Sequence, residues 1–156
     1  MSMLYIYNKL ILYQFKNTIK EGKTMQILDN YFKLFDEARY NEESFQQLTD
    51  LFSDDIVFVL NGKSFQGKAA WQNFVRSVYQ TNEDLKHMHN GWVKQEDGSF
   101  QTQWAICGKR FESGVYTQEG LDIARINENG KIAYLENKPN DPQLYYFLGN
   151  NIIVII

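Results

Sequence analysis

The chain has 156 residues, enough for one domain that buries a sizeable core and too few for two. Its net charge of −3 comes with no basic cluster, so the electrostatic footprint of a nucleic-acid binder is missing. One cysteine, Cys107, excludes an internal disulfide and a cysteine-rich metal framework and suits a reducing cytoplasm, while an aromatic share of 15% suggests a cavity-bearing or aromatic-rich core.

Residues 1–24 lack the basic start, unbroken apolar core and small-residue cleavage site of a signal peptide, and Lys9 and Lys16 leave no continuous apolar run to span a bilayer. Two readings stand side by side. The segment is an N-terminal helix, or it is a bacterial ribosome-binding region translated ahead of a start at Met25, since Lys20-Glu21-Gly22 can be encoded by a purine-rich run. On either reading it is expected to add nothing to the domain that follows.

From Met25 the apolar residues Leu28, Tyr31, Phe32, Phe35 and Ala38 recur at spacings of three and four, which predicts an amphipathic helix. Asn41 or Ser44 can cap a second, shorter helix carrying Phe45, Leu48, Leu51 and Phe52, and Ser53-Asp54-Asp55 should stop it. Residues 56–60 read as a buried strand, Asn61-Gly62 as a turn, and residues 63–65 as a short strand. A third helix should follow Gly67, with Ala70, Trp71, Phe74, Val75 and Val78 on its apolar side.

The remainder reads as antiparallel sheet. A long strand is expected over residues 84–95, with His87, His89 and Val93 on one face and Met88, Asn90 and Trp92 on the other. In the next strand Phe100, Thr102, Trp104 and Ile106 alternate with Gln101, Gln103, Ala105 and Cys107. The following two strands flank Asn127-Glu128-Asn129-Gly130, a strong hairpin signal. Parity sorts the first of them: Tyr116, Gln118, Gly120, Asp122, Ala124 and Ile126 share one face, aromatic and small apart from a carboxylate in its middle. That is the composition of a strand lining a pocket. The apolar stretch over residues 143–156 is too short for a membrane helix and reads equally as an extra strand, a partner contact or an artefact of the sequence end.

This order of elements, with LFSDDIVFVLNGKSFQGKAAWQNFV early and GLDIARINENGKI late, resembles the nuclear-transport-factor-2-like superfamily and, within it, the SnoaL-like proteins. The likeness runs over about residues 25–138. It implies an α+β cone: a bent antiparallel sheet closed by three helices from the N-terminal half, a pocket inside, no cofactor, and often a homodimer formed sheet to sheet. The superfamily holds polyketide cyclases, a ketosteroid isomerase, scytalone dehydratase, an epoxide hydrolase and members without catalysis, so the shape does not select a reaction and no substrate can be named.

Asp122 matches the position where SnoaL-like cyclases carry an acid/base aspartate. Burial in an apolar cone would raise its pKa toward working pH. The alternative is that it merely pairs with an arginine or a backbone amide. His87 stands where relatives often carry a pocket histidine, with a satisfied structural histidine as its alternative. His87 and His89 together could ligate a metal, but no third ligand stands out, so no metal site is expected. Tyr31, Phe35, Phe58, Trp71, His89, Trp104 and Tyr116 are expected pocket walls, or plain core. The expected partners are a small hydrophobic molecule and a second copy of the chain, docked through outer-face residues Leu121, Ile123, Leu135 and Trp92. Neither nucleic acid nor membrane is expected.

Overall fold

The computed structural model describes residues 3–148 and 151–154. Helix α1 spans Met3–Glu37, and its two halves behave differently. Residues 3–23 are exposed throughout, whereas from Thr24 onward burial recurs at Leu28, Tyr31, Phe32 and Phe35, so only the second half lays a face on the domain. The helix runs unbroken through Met25, where the sequence pattern placed its start. Beyond the domain it projects for about 30 Å at 1.5 Å per residue, tied back by an ion pair between Glu21 and Lys94.

Helix α2, Glu42–Asp50, is capped by Asn41, whose Oδ1 accepts the Glu43 N–H at 2.8 Å. Strand β1, Phe52–Leu60, starts earlier than the expected residue 56: Phe52 pairs with Ile132, and the register then shifts before Val57, so Ser53-Asp54-Asp55 form an irregular stretch of strand rather than a stop. Asn61 and Gly62, both with positive φ (46° and 83°), turn the chain into β2, Lys63–Gln66. Gly67, at φ 95°, leads into α3, Lys68–Thr81.

Strand β3, Asn82–His89, ends at a break where Gly91 takes φ 93°, and only Val93–Lys94 resume as β4. The expected single strand over 84–95 is therefore two, and parity reverses across the glycine: Trp92 is buried and Val93 exposed. Strands β5 (Phe100–Arg110), β6 (Gly114–Ile126) and β7 (Ile132–Pro139) complete the sheet. In the β6–β7 turn only Gly130 is left-handed (φ 74°), while Asn127 Oδ1 accepts the Asn129 and Lys131 N–H groups at 3.0 Å.

The sheet order is β2-β1-β7-β6-β5-β3, with β4 on β5. Every pair is antiparallel except β1–β7, which is parallel, so the expected antiparallel sheet is in fact a mixed, curved and unclosed one of seven strands. With its three helices this is an α+β fold. The core lies between the inner face of the sheet, the second half of α1 and α3, where Trp71 packs on Phe52 with ring centroids 3.9 Å apart. Leu135 and Trp92 belong to that core, at 5% and 3% exposure, and so do not serve the outer face. After a 3-10 turn at Pro142–Leu144, β8 (Tyr145–Leu148) and β9 (Asn151–Val154) form a hairpin of their own. The expected apolar tail is thus a strand pair as far as it is described; residues 1–2 of the N-terminal extension and 149–150 and 155–156 of the tail lie outside the described residues.

Because residues 3–23 bury no side chain, deleting residues 1–20 should change the unfolding free energy by less than about 0.5 kcal/mol, the range of surface substitutions. Urea denaturation of the two chains checks this, and a larger loss would mean that the projecting half of α1 supports the domain.

Candidate active site

Asp122 sits in the middle of the sheet, its backbone paired with Thr102 on β5 and Asn137 on β7, and its side chain turned to the inner face at 0% exposure. Two residues earlier on the same face, Gly120 has Trp104 as its cross-strand partner, and a Cβ there would lie inside the Trp104 indole and against Lys138 O. The missing side chain lets the indole lie across the strand toward Asp122. Gly108 does the same for Tyr116: a Cβ would meet the phenol ring at 2.5 Å.

One oxygen of Asp122, Oδ1, accepts from Asn137 Nδ2 at 2.7 Å; among the described residues Oδ2 has no hydrogen-bond partner, and neither has Trp104 Nε1. Burial pushes the carboxyl up from its ordinary 3.8 to about 7, against the pull of the Asn137 amide and of the Trp104 N–H, which faces the carboxyl without meeting hydrogen-bond geometry. Tyr31 lies within electrostatic reach of both Asp122 and Asp36, and burial first, then these charges, raises its pKa well above the usual phenol value and keeps its hydroxyl protonated.

His87 is clamped from one side. Its Nδ1 lies 2.6 Å from Asp36 Oδ1, its backbone N–H donates to Asp36 Oδ2 at 3.0 Å, and Lys86 Nζ stands 3.5 Å from the same carboxylate. With Nδ1 on Asp36, Nε2 is the ring nitrogen left for other work. The Phe35 ring meets His87 edge-on at 5.0 Å.

Apart from Asp36 and Lys86, which stand behind His87, these groups line one interior cavity of about 50 Å³, together with Phe32, Phe58, Trp71, Phe74 and Leu135. At roughly 10–15 Å³ per water it holds a few water molecules and falls well short of the ~300 Å³ at which ligand pockets begin. Among the described residues, no three histidine, cysteine or carboxylate side chains converge as a metal ion requires, and no helix is long and apolar enough to cross a membrane.

A family model described as the SnoaL-like domain matches residues 32–135, two-thirds of the chain. The chain belongs to the SnoaL-like family. Among solved structures, an NTF2-like protein of unknown function from Exiguobacterium sp. 255-15 is 52% identical, with 74% of this chain and 98% of that one covered and a TM-score of 0.71. The epoxide hydrolase/cyclase-like enzyme SalBIII, acting in pyran ring formation in the polyether salinomycin, is 17% identical with a TM-score of 0.66 over 77% of this chain and 92% of that one. RV0760c from Mycobacterium tuberculosis, solved in complex with estradiol-17beta-hemisuccinate, is 16% identical with a TM-score of 0.59 over 74% of this chain and 92% of that one. At such identities the last two share the fold alone. A search of curated proteins returns no match.

Of the residues singled out from the sequence, Asp122, His87, Tyr31, Phe35, Phe58, Trp71, Trp104 and Tyr116 all line the cavity of this SnoaL-like chain. His89 does not: it is exposed, accepts the Gly91 N–H on Nδ1, and stacks at 4.9 Å on Phe32, which reaches the cavity in its place. Three polar residues escaped the sequence reading. Asn137 carried a signal, since it shares the parity of Leu135 two positions earlier. Asp36 followed Phe35 on α1 and read as one of the polar residues between apolar ones. Tyr145 comes after an irregular Pro-Asn-Asp-Pro link and had no periodicity to place it.

The raised carboxyl carries a pH signature of known sign. Below 3.8 Asp122 is protonated whether the chain is folded or not; between 3.8 and about 7 the unfolded chain ionises first, so the folded state loses stability as pH rises. The full interval corresponds to about 4 kcal/mol. Relative to wild type, Asp122→Asn should therefore gain stability between about pH 4 and pH 8, measured as the difference of two urea unfolding free energies. A difference independent of pH would mean that Asp122 is not held in this way.

Proposed function

We propose that this SnoaL-like protein is a cofactor-independent proton-transfer enzyme of the isomerase, cyclase or dehydratase type, acting on a small hydrophobic carbonyl compound. The observation that carries this reading is the unpartnered Oδ2 of a fully buried Asp122 in an aromatic cavity that it shares with His87. A carboxyl near pKa 7 is ionised often enough to accept a proton and basic enough to use it. Oδ2 takes the proton α to the carbonyl, the C–H electron pair becomes the C=C bond of the enol as the carbonyl π pair moves to oxygen, and that oxygen takes its proton from Nε2–H of a His87 imidazolium whose Nδ1–H faces Asp36. Asp36 holds the imidazole in place, and Tyr31 supplies a further neutral donor.

Support from relatives is coarser: one neighbour in fold is described as epoxide hydrolase/cyclase-like and another holds a steroid ester. The narrow cavity bears on substrate size. Any substrate requires the aromatic walls to part, and a monocyclic or acyclic compound requires less of this than a polycyclic one. The same narrowness favours a second reading, a binding or association module without chemistry.

The two readings separate in deuterium oxide. Wild-type protein should catalyse exchange of the α-protons of a small cyclic enone, and Asp122→Asn should lose about two to four orders of magnitude in that rate, the worth of general acid–base catalysis. Binding of the enone without exchange would favour the module.

We also infer a homodimer through the outer face of the sheet, where half-buried Leu121 and Ala105 and exposed Met88 line a shallow groove, with half-buried Ile123 two residues further along β6. Light scattering should give twice the chain mass at micromolar concentration; the chain mass alone would refute this.

A further inference from the structure

The hydrogen bonds that hold Asp122 do not end within the sheet. Asn137 Nδ2 donates to Asp122 Oδ1 at 2.7 Å, and the Asn137 Oδ1 in turn accepts the Tyr145 hydroxyl at 2.8 Å. Tyr145 opens β8, ten residues beyond the end of the family match at residue 135. We propose that Tyr145 is a positioning residue for Asp122: by donating to Asn137 Oδ1 it keeps the amide NH2 turned to the carboxyl and leaves Asp122 Oδ2 as the free proton acceptor. The inference rests on the reading of Asp122 as the base.

An amide presents different chemistry at its two ends. With NH2 toward the carboxyl it favours the carboxylate; turned over, it presents a second acceptor and favours the neutral acid. Asn137 cannot settle this choice alone, because both ends of this half-buried amide require partners. Tyr145 biases it, since a phenol donates better than it accepts and donates here to Oδ1. Burial and then the Asp122 charge raise the Tyr145 pKa, so the hydroxyl keeps its proton throughout the range in which Asp122 titrates.

Tyr145 is fixed by contacts that do not involve its hydroxyl. Leu144 beside it is 3% exposed, Asn61 Nδ2 donates to Pro142 O at 2.7 Å, and Asp141 caps the turn through the Gln143 N–H. The Tyr145 ring meets Phe74 edge-on at 5.9 Å, and Phe147 packs on Phe65 at 5.7 Å. Removing the hydroxyl should therefore leave the segment in place.

Among the described residues the other groups near the Asp122 carboxyl are few: Tyr31 from α1 and the Trp104 N–H from β5, with Tyr116 on β6 and His87, backed by Asp36, further along the cavity wall. None of these donates to the carboxyl with hydrogen-bond geometry; Asn137 does, and it is Asn137 that Tyr145 holds.

The test is a carbon-13 NMR titration of the Asp122 carboxyl in wild type, Tyr145→Phe and Phe147→Leu. Tyr145→Phe keeps the ring and should raise the midpoint by about one unit, the worth of a neutral hydrogen bond. Phe147→Leu loosens the same segment without touching the chain of hydrogen bonds, and should lower the melting temperature while leaving the midpoint unchanged. An unshifted midpoint in folded Tyr145→Phe would overturn the proposal, as would an equal shift in Phe147→Leu. A wild-type midpoint in the ordinary carboxylate range is a different result: it would overturn the assignment of Asp122 as the base.

Discussion

A carboxylate removed from water with one hydrogen bond where it can accept several is the constraint to which the rest of this site answers. Taking Asp122 to 0% exposure disfavours its charge, and the Asn137 amide returns only part of what water supplied. Proteins resolve such a conflict by protonation, by a counter-ion or by a ligand. Among the described residues no cation stands with the groups that act on Asp122, so the carboxyl is left poised between its two protonation states. The contrast with the carboxylate behind His87 is informative. Asp36, also nearly buried, meets His87 and Lys86 and is fully engaged, so the two carboxylates have divided their work: one orients an imidazole and the other keeps an oxygen free.

The sheet makes this division possible through absences as much as through side chains. Gly120 and Gly108 give up their Cβ atoms so that Trp104 and Tyr116 can lie flat across the neighbouring strand, which lines the cavity with rings instead of leaving it hollow. The cost is volume. A cavity of about 50 Å³ walled by Trp71, Phe58, Phe74 and Trp104 is close to a packed core, and the difference between core and pocket here is a matter of a few polar atoms.

The fold was largely legible because its signals are local. The helical spacing after Met25, the alternation over residues 100–106 and the turn at Gly130 each depend on neighbours in sequence, and each led to the observed element. What misled were single backbone residues that reset a pattern: Gly91 at φ 93° reversed the parity behind it, sending Trp92 inward, and the irregularity after Phe52 moved the start of β1. The parallel pairing of β1 with β7 joins distant segments and leaves no trace in either. The site was legible to the extent that parity could carry it, as for Asp122 and Trp104. His89 shares the parity of His87, but it stands at the end of its strand, where Phe32 takes the inward position. Asp36 and Tyr145 act through contacts 51 and 8 residues away in sequence, which no spacing rule reaches.

The base proposed here is a carboxyl that stays a neutral acid over a range where surface carboxyls are charged. Infrared difference spectroscopy of the folded protein against Asp122→Asn reads this directly. At about pH 5.5 wild type should show a carboxylic-acid carbonyl band that the variant lacks, and the band should fade as pH rises through about 7. A carboxylate signal for Asp122 already present at about pH 5, with no acid band to lose, would contradict it.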